Sequence, residues 1–296
     1  MIASQSVHNS AVRWAAVAAL LLATGCQDAA RPALRTPADS LAASLVEASG
    51  GFEAWDALPA LRWDWVVQND SAELRRVAHL WDRAGDRARV EWSGRQDTTL
   101  VAVIAPGTFD PDAPAGLVAR TIGDGPTETL SGTDALDELR AAHTRWVNDA
   151  YWMLAPLKTF DPGVRRTTAP DSGEAVLELS FLEVGLTPSD RYWMRLGPDG
   201  GITGWTYVLE GDPTPTRWTW AEPVDVTGPA GPVRLWTSKR KDGTPLEIRT
   251  EPLPVPAFDE ATFADLVPRL LTPTAGEPSR RRRGNADAPR RAADAP

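Results

Sequence analysis

From Leu61 onward the chain alternates apolar and polar residues at a period of two, and turn residues interrupt the alternation at short intervals. Leu61, Trp63, Trp65 and Val67 fall on one side and Arg62, Asp64 and Val66 on the other, the pattern of a strand with one buried face. Ala88, Val90 and Trp92 alternate with Arg89 and Glu91 in the same way, between the turn signals Gly85-Asp86 and Gly94-Arg95. Leu100 to Ile104 is apolar throughout and predicts a strand covered on both faces. A second run extends from Val164 to Thr250, with turns at Asp171-Ser172-Gly173, Pro198-Asp199-Gly200-Gly201 and Asp242-Gly243. It predicts strands over 176–184, 191–196, 202–209, 216–220, 233–238 and 246–250. Hairpin follows hairpin with no βαβ rhythm, so a parallel Rossmann-type sheet is excluded and one long antiparallel sheet is expected. An open sheet of about ten strands curls. The expected fold is therefore mainly β with some helix (α+β): a long antiparallel sheet curled into an unclosed half-barrel, with helices packed on its concave side.

Three helical segments fit this frame. Thr36-Pro37-Ala38-Asp39 sets a helix start, with Thr as cap, Pro at the first helical position and Asp three residues after the cap. That helix is expected to bury Leu41, Leu45 and Ala48 and to stop at Gly50-Gly51, before a short turn that brings Phe52 and Trp55 to the core. A Gly- and Pro-rich stretch from Pro106 to Pro126 reads as an interruption of the meander. Beyond it a helix over 133–155 carries Leu136, Leu139, His143, Trp146, Val147, Ala150 and Leu154 on one stripe and ends at Pro156. Its position between the two strand runs makes it the expected lid over the concave side.

The first 25 residues have the layout of an export signal: Arg13, an apolar run from Trp14 to Ala23, then Thr24 and Gly25. The only cysteine of the chain follows directly, in Leu21-Leu22-Ala23-Thr24-Gly25-Cys26. This segment resembles the lipobox cut by the lipoprotein signal peptidase, with Ala23 where that family most often has Leu. The resemblance implies cleavage before Cys26 and lipid on its thiol, with more acyl chains than the two that stable anchoring requires. Gln27 stands where enteric bacteria would read Asp as an inner-membrane retention signal, so an outer-membrane location is expected by analogy. The expected organisation is a signal peptide at 1–25, a tether at 26–36, one half-barrel domain at 37–276 and a tail at 277–296.

Charge narrows the partners. Residues 26–276 hold 24 Lys or Arg against 37 Asp or Glu, a balance of −13, which disfavours nucleic acid. The tail carries Arg280 to Arg283 and Arg290-Arg291 with almost no apolar residues, the composition of a solvated, disordered arm. Its alternative reading is a basic arm touching anionic lipid headgroups, lipopolysaccharide phosphates or cell wall. His79 and His143 are the only histidines after the signal, and neither has a neighbouring Cys or a dense carboxylate cluster, so no metal site and no cofactor are expected. His143 reads as a packed core histidine. No Gly-x-Ser-x-Gly elbow, His-Glu-x-x-His helix or phosphate loop occurs, and no catalytic residue is assigned.

Together, Gly50-Gly51 with Trp55, the run from Tyr151 through Lys158 leading to Asp161-Pro162-Gly163-Val164, and Val184-Gly185-Leu186-Thr187-Pro188 resemble a group of bacterial outer-membrane lipoproteins. Their fold is similar to that of the periplasmic lipoprotein carriers and receptors (LolA/LolB-like), an unclosed barrel with helices plugging an apolar cavity. The resemblance covers roughly residues 37–268 and implies a non-catalytic binder or carrier of an acyl chain or other hydrophobic ligand. It supplies no ligand-binding residue position by position. The chain has 13 Trp, 12 of them after the signal. Trp63, Trp65, Trp92, Trp193, Trp205, Trp218, Trp220 and Trp236 fall in predicted strands and are the candidate lining of a ligand site. Simple core packing is the competing reading for each. The alternative function is a surface-anchored module that holds a protein or polysaccharide.

Overall fold

The computed structural model describes residues 32–169, 175–181 and 189–271. The signal, Cys26, the Asp171-Ser172-Gly173 turn, the Val184 to Pro188 motif and the Arg-rich tail lie outside them. Helix α1 (Pro37–Ala48) starts at the expected capping box: Thr36 Oγ1 accepts from the Asp39 amide at 3.1 Å and Asp39 Oδ2 accepts from the Thr36 amide at 3.0 Å. Its buried face is rotated from the expected stripe, with Ala38, Ala42, Leu45 and Val46 inside and Leu41 and Ala48 half-buried. The chain then turns at Gly50, whose φ is +105° and whose missing Cβ would stand 2.2 Å from the Pro232 carbonyl oxygen. Only glycine fits there, both for its dihedral and for its space. Helix α2 (Gly51–Ala57) follows and places Phe52 and Trp55 partly against the core, as expected.

The sheet has thirteen strands, more than the ten expected: β1 (Ala60–Asn69), β2 (Ala72–Asp82), β3 (Arg87–Ser93), β4 (Thr98–Ile104), β5 (Leu117–Ile122), β6 (Glu128–Thr129), β7 (Val164–Thr168), β8 (Val176–Phe181), β9 (Arg191–Leu196), β10 (Ile202–Leu209), β11 (Asp212–Gly228), β12 (Gly231–Lys241) and β13 (Leu246–Leu253). Their spatial order is β6-β5-β4-β3-β2-β1-β13-β12-β11-β10-β9-β8-β7, and every pairing among them is antiparallel. The chain thus builds outward from β1 to one free edge and resumes at the opposite edge. It then works inward until β13 pairs with β1, from Arg62↔Leu253 to Asn69↔Leu246.

Two strand expectations are corrected. β5 lies inside the Gly- and Pro-rich stretch read as an interruption, because its six residues pair fully with β4, from Thr98↔Ile122 to Val103↔Leu117. β11 runs for 17 residues rather than five, despite Pro213, Pro215 and Pro223. Pro223 is tolerated because β10 reaches along β11 only to Thr219, leaving β12 as the one neighbour there. Glu222, with φ +57°, interrupts the pairing at one position, and the register is unchanged from Ala221↔Ser238 to Pro223↔Trp236.

Helix α3 (Gly132–Leu154) connects the two free edges. At about 1.5 Å per residue its 23 residues span roughly 34 Å, enough to cross the concave face. It packs on β3, β4 and β5 at one side and on β12 and β13 at the middle. The expected stripe holds at Leu139, Ala150 and Leu154, whereas Leu136 is exposed and Trp146 and Val147 are half-buried. At the C-terminal end the stripe also widens, with Trp152, Met153 and Leu154 buried in succession. A helix covered on several sides loses its single apolar stripe.

The convex face of β2 to β4 is covered as well. Helix α4 (Glu260–Ala264) and the segment to Leu271 place Phe263 and Leu270 on Ala78 and Leu80, and Leu266 on Val101 and Ala119. β4 is therefore apolar on both sides, as its sequence predicts. Arg89 and Glu91, whose alternation marks a polar outer face, are both fully buried beneath this segment. Arg89 Nε donates to Glu91 Oε1 at 2.7 Å, and its remaining donors reach the carbonyls of Thr262, Asp265 and Val267. Glu91 accepts from the amides of Arg269, Leu270 and Leu271. Four of the five N–H donors of Arg89 and both oxygens of Glu91 thereby have partners, which is what allows two charges to sit out of water.

Candidate functional site

Seven of the eight candidate tryptophans point to the interior. Trp63, Trp65, Trp92, Trp205, Trp218, Trp220 and Trp236 are buried in one continuous core with α1, α2 and α3. Strand pairing brings several into contact: Trp205 stands opposite Trp218, and its ring centroid lies 4.9 Å from that of Trp220. From α3, Trp152 meets Trp205 at 4.7 Å and Trp218 at 4.8 Å, and Tyr151 stacks on Trp205 at 5.8 Å. The Tyr151 to Lys158 run singled out by resemblance thus wedges the end of the helix into the aromatic layer. Such rings add interaction beyond the area they bury.

Trp193 is a correction. Tyr192 and Met194 take the inward positions of β9, so the residue between them faces outward. There it lines an open groove of about 540 Å³ with Arg195, Thr206, Arg217 and Asp242. A second groove, of about 590 Å³, is apolar and lies where β1 starts and β11 and β13 end, among Leu58, Val224, Val226, Leu253, Val255 and Phe258.

Polar groups break the inner layer at a few points that sequence analysis did not identify. His79 is fully buried and stacks on Trp63 with centroids 4.5 Å apart, while its Nε2 lies 2.9 Å from Asp149 Oδ2. Asp149 comes from α3 and also accepts from Asn148 Nδ2 at 2.9 Å. This pair is a polar tie between the crossing helix and the sheet, and His79 Nδ1 has no partner. His143, as expected, is packed: its ring stacks on Phe109 at 4.2 Å, and burial lowers its pKa. Lys239 is fully buried against the Trp220 ring and donates to the Trp236 carbonyl and to Thr250 Oγ1. Burial pushes its ammonium well below the ordinary range, with Arg249 adding to the effect.

The indole N–H groups of Trp63, Trp65, Trp205 and Trp220 are buried without an acceptor, and the hydroxyl of Tyr151 also has no partner. Burial drives the Tyr151 pKa well upward, so it stays a neutral O–H. The inner layer therefore holds more donors than acceptors. Among the described residues no group of three or more His, Cys, Asp or Glu side chains is placed to hold a metal ion. No described helix is long and apolar enough to cross a membrane.

No family profile matches the chain, and no curated protein matches its sequence. Solved structures do. A DUF1329 family protein from Desulfovibrio piger matches with a TM-score of 0.41 at 8% identity, over 77% of this chain and 97% of that one. A putative outer membrane lipoprotein-sorting protein domain from Vibrio parahaemolyticus gives 0.35 at 9%, over 69% and 88%. A LolA superfamily protein from Nitrosomonas europaea gives 0.30 at 12%, over 75% and 96%.

Proposed function

We propose that the protein is an envelope lipoprotein, anchored in the outer membrane through lipid on Cys26, that binds an acyl chain or other amphiphile without catalysis. The ligand lies between α3 and the inner face of the sheet. The observation that carries this reading is the donor excess of the inner layer. A buried N–H without an acceptor costs about 1–3 kcal/mol, and a core built only for packing has no reason to collect several. Two features support it further. α3 is attached at the two free edges, and its tie to the sheet includes a single buried polar pair, His79 with Asp149. The test uses the chain carrying Cys26→Ser, purified without detergent, in native mass spectrometry and in displacement of a fluorescent fatty acid. A bound amphiphile and a displaceable probe are expected; their joint absence would sink the reading.

A second reading rests on the outer groove at Trp193, where an indole faces outward between Arg195 and Arg217. There the protein acts as a surface module that holds a polysaccharide or protein partner. Crosslinking in the native envelope separates the two, because a module recovers a stoichiometric partner that Trp193→Ala abolishes.

A further inference from the structure

Two guanidinium groups, Arg75 and Arg145, lie over indoles of the inner face, and neither is ion-paired to a carboxylate among the described residues. Trp65 on β1 stands opposite Val77 on β2, and Val77 stands opposite Trp92 on β3, so the two indoles flank Val77 in one row. Arg75, two residues before Val77 and on the same face, sits 4.9 Å from the centre of the Trp65 ring. From the facing helix, Arg145 sits 4.7 Å from the centre of the Trp92 ring. Among the described residues neither forms an ion pair within 4 Å, although pairs of that kind hold most arginines of the sheet.

The unmet hydrogen-bonding capacity at this place is all of one sign. Arg145 Nη1 donates only to the Ala141 carbonyl of its own helix, its Nε is buried without an acceptor, and so is the indole Nε1 of Trp65. Burial lowers the Arg145 pKa, and Arg75 repels it further. Asp149 and Glu138 attract Arg145 from α3, but Asp149 is committed to His79 and burial raises the Glu138 pKa. Two cations that repel each other and two unpaired N–H donors at the edge of an aromatic layer have no anionic hydrogen-bond acceptor among the described residues.

We propose that Arg75 and Arg145 form the headgroup site for a single-chain amphiphile with an anionic head, carboxylate or phosphate, whose chain lies along the tryptophan-lined inner face. This rests on the binding reading above and names its ligand class. A guanidinium suits both heads because its planar donors match two oxygens at once. Stacked on an indole, it also keeps its orientation before the ligand arrives.

Isothermal titration of the Cys26→Ser chain with dodecanoate, dodecyl phosphate, dodecanol and inorganic phosphate tests the assignment. Both anionic amphiphiles should bind at least about tenfold tighter than the alcohol, the range of one charge-assisted hydrogen bond, and should weaken as salt is raised. Arg75→Gln and Arg145→Gln should each cut that advantage about tenfold. Arg75 is exposed, so its variant keeps the fold and isolates the charge. Equal affinity for alcohol and anions, or an advantage unmoved by Arg75→Gln, would overturn the headgroup site while leaving amphiphile binding intact. Inorganic phosphate binding as tightly as dodecyl phosphate would reassign the pair to a free anion. Failure of every chain to bind would remove both readings together.

Discussion

Replacing Glu91 by Gln tests whether the C-terminal segment is held by charge or only by apolar contact. The substitution keeps the shape and removes the negative charge opposite Arg89, which is fully buried and has no other carboxylate within 4 Å among the described residues. It also turns one accepting oxygen into an NH₂ donor that faces the amides of Arg269, Leu270 and Leu271. Breaking a buried ion pair from one side costs about 3–5 kcal/mol. For a domain of about 150–250 residues each kcal/mol moves the melting temperature by about 2–4 °C, so a fall of roughly 6–20 °C is expected. Differential scanning calorimetry reads the melting temperature, and hydrogen exchange reads the three amides, which should lose protection together. A variant that melts within about 3 °C of the parent, with those amides still protected, would refute the reasoning. The segment would then be held by Phe263, Leu266 and Leu270 alone.

Gly50→Ala should destabilise the fold by at least about 2 kcal/mol, since a left-handed φ costs a non-glycine residue about 1–2 kcal/mol before the clash with Pro232 is counted; an unchanged urea midpoint would contradict this. Asp39, whose Oδ1 lies 2.9 Å from Arg166 Nε, has its pKa lowered from 3.8 to about 2, chiefly by that guanidinium. A depressed folded-state pKa contributes stability that is full above about pH 4 and lost as pH falls through about 2, so Arg166→Gln should move acid unfolding to higher pH and raise the Asp39 carboxyl titration seen by NMR. Asp149→Asn weakens the tie between α3 and His79, so amide exchange across α3 should quicken more than in β1 or β2; uniform protection in all three would remove its role as a tie.

The parts of this protein that obey a local rule were readable from the sequence. The capping box at Thr36 closes as written, because its partners are three residues apart. The doubly apolar strand from Leu100, the meander and the crossing helix follow from periodicity and turn residues. So does the inward direction of Trp63, Trp65, Trp92, Trp205, Trp218 and Trp220, each with an apolar neighbour two positions away, whereas Trp236 has Arg234 and Ser238 at those places. Trp193 was misread because parity within β9 decides its side, and Tyr192 and Met194 set that parity against it.

What periodicity could not show is which polar residues lie in the dark. Arg89 and Glu91 read as the polar side of a strand, and nothing in the sequence marks Asp149 or Lys239 as buried, since a strand or helix face records only that it is polar. Whether it is also buried depends on which distant segment settles on it. Leu271 reaches Glu91 across 180 positions, and Asp149 reaches His79 across 70. Sequence determined the elements and their hydrophobic faces, because those are set by neighbours along the chain. The buried polar ties and the unpaired guanidiniums over Trp65 and Trp92 were decided only when strands and helix closed on one another, because a charge takes its energy from whatever surrounds it in space.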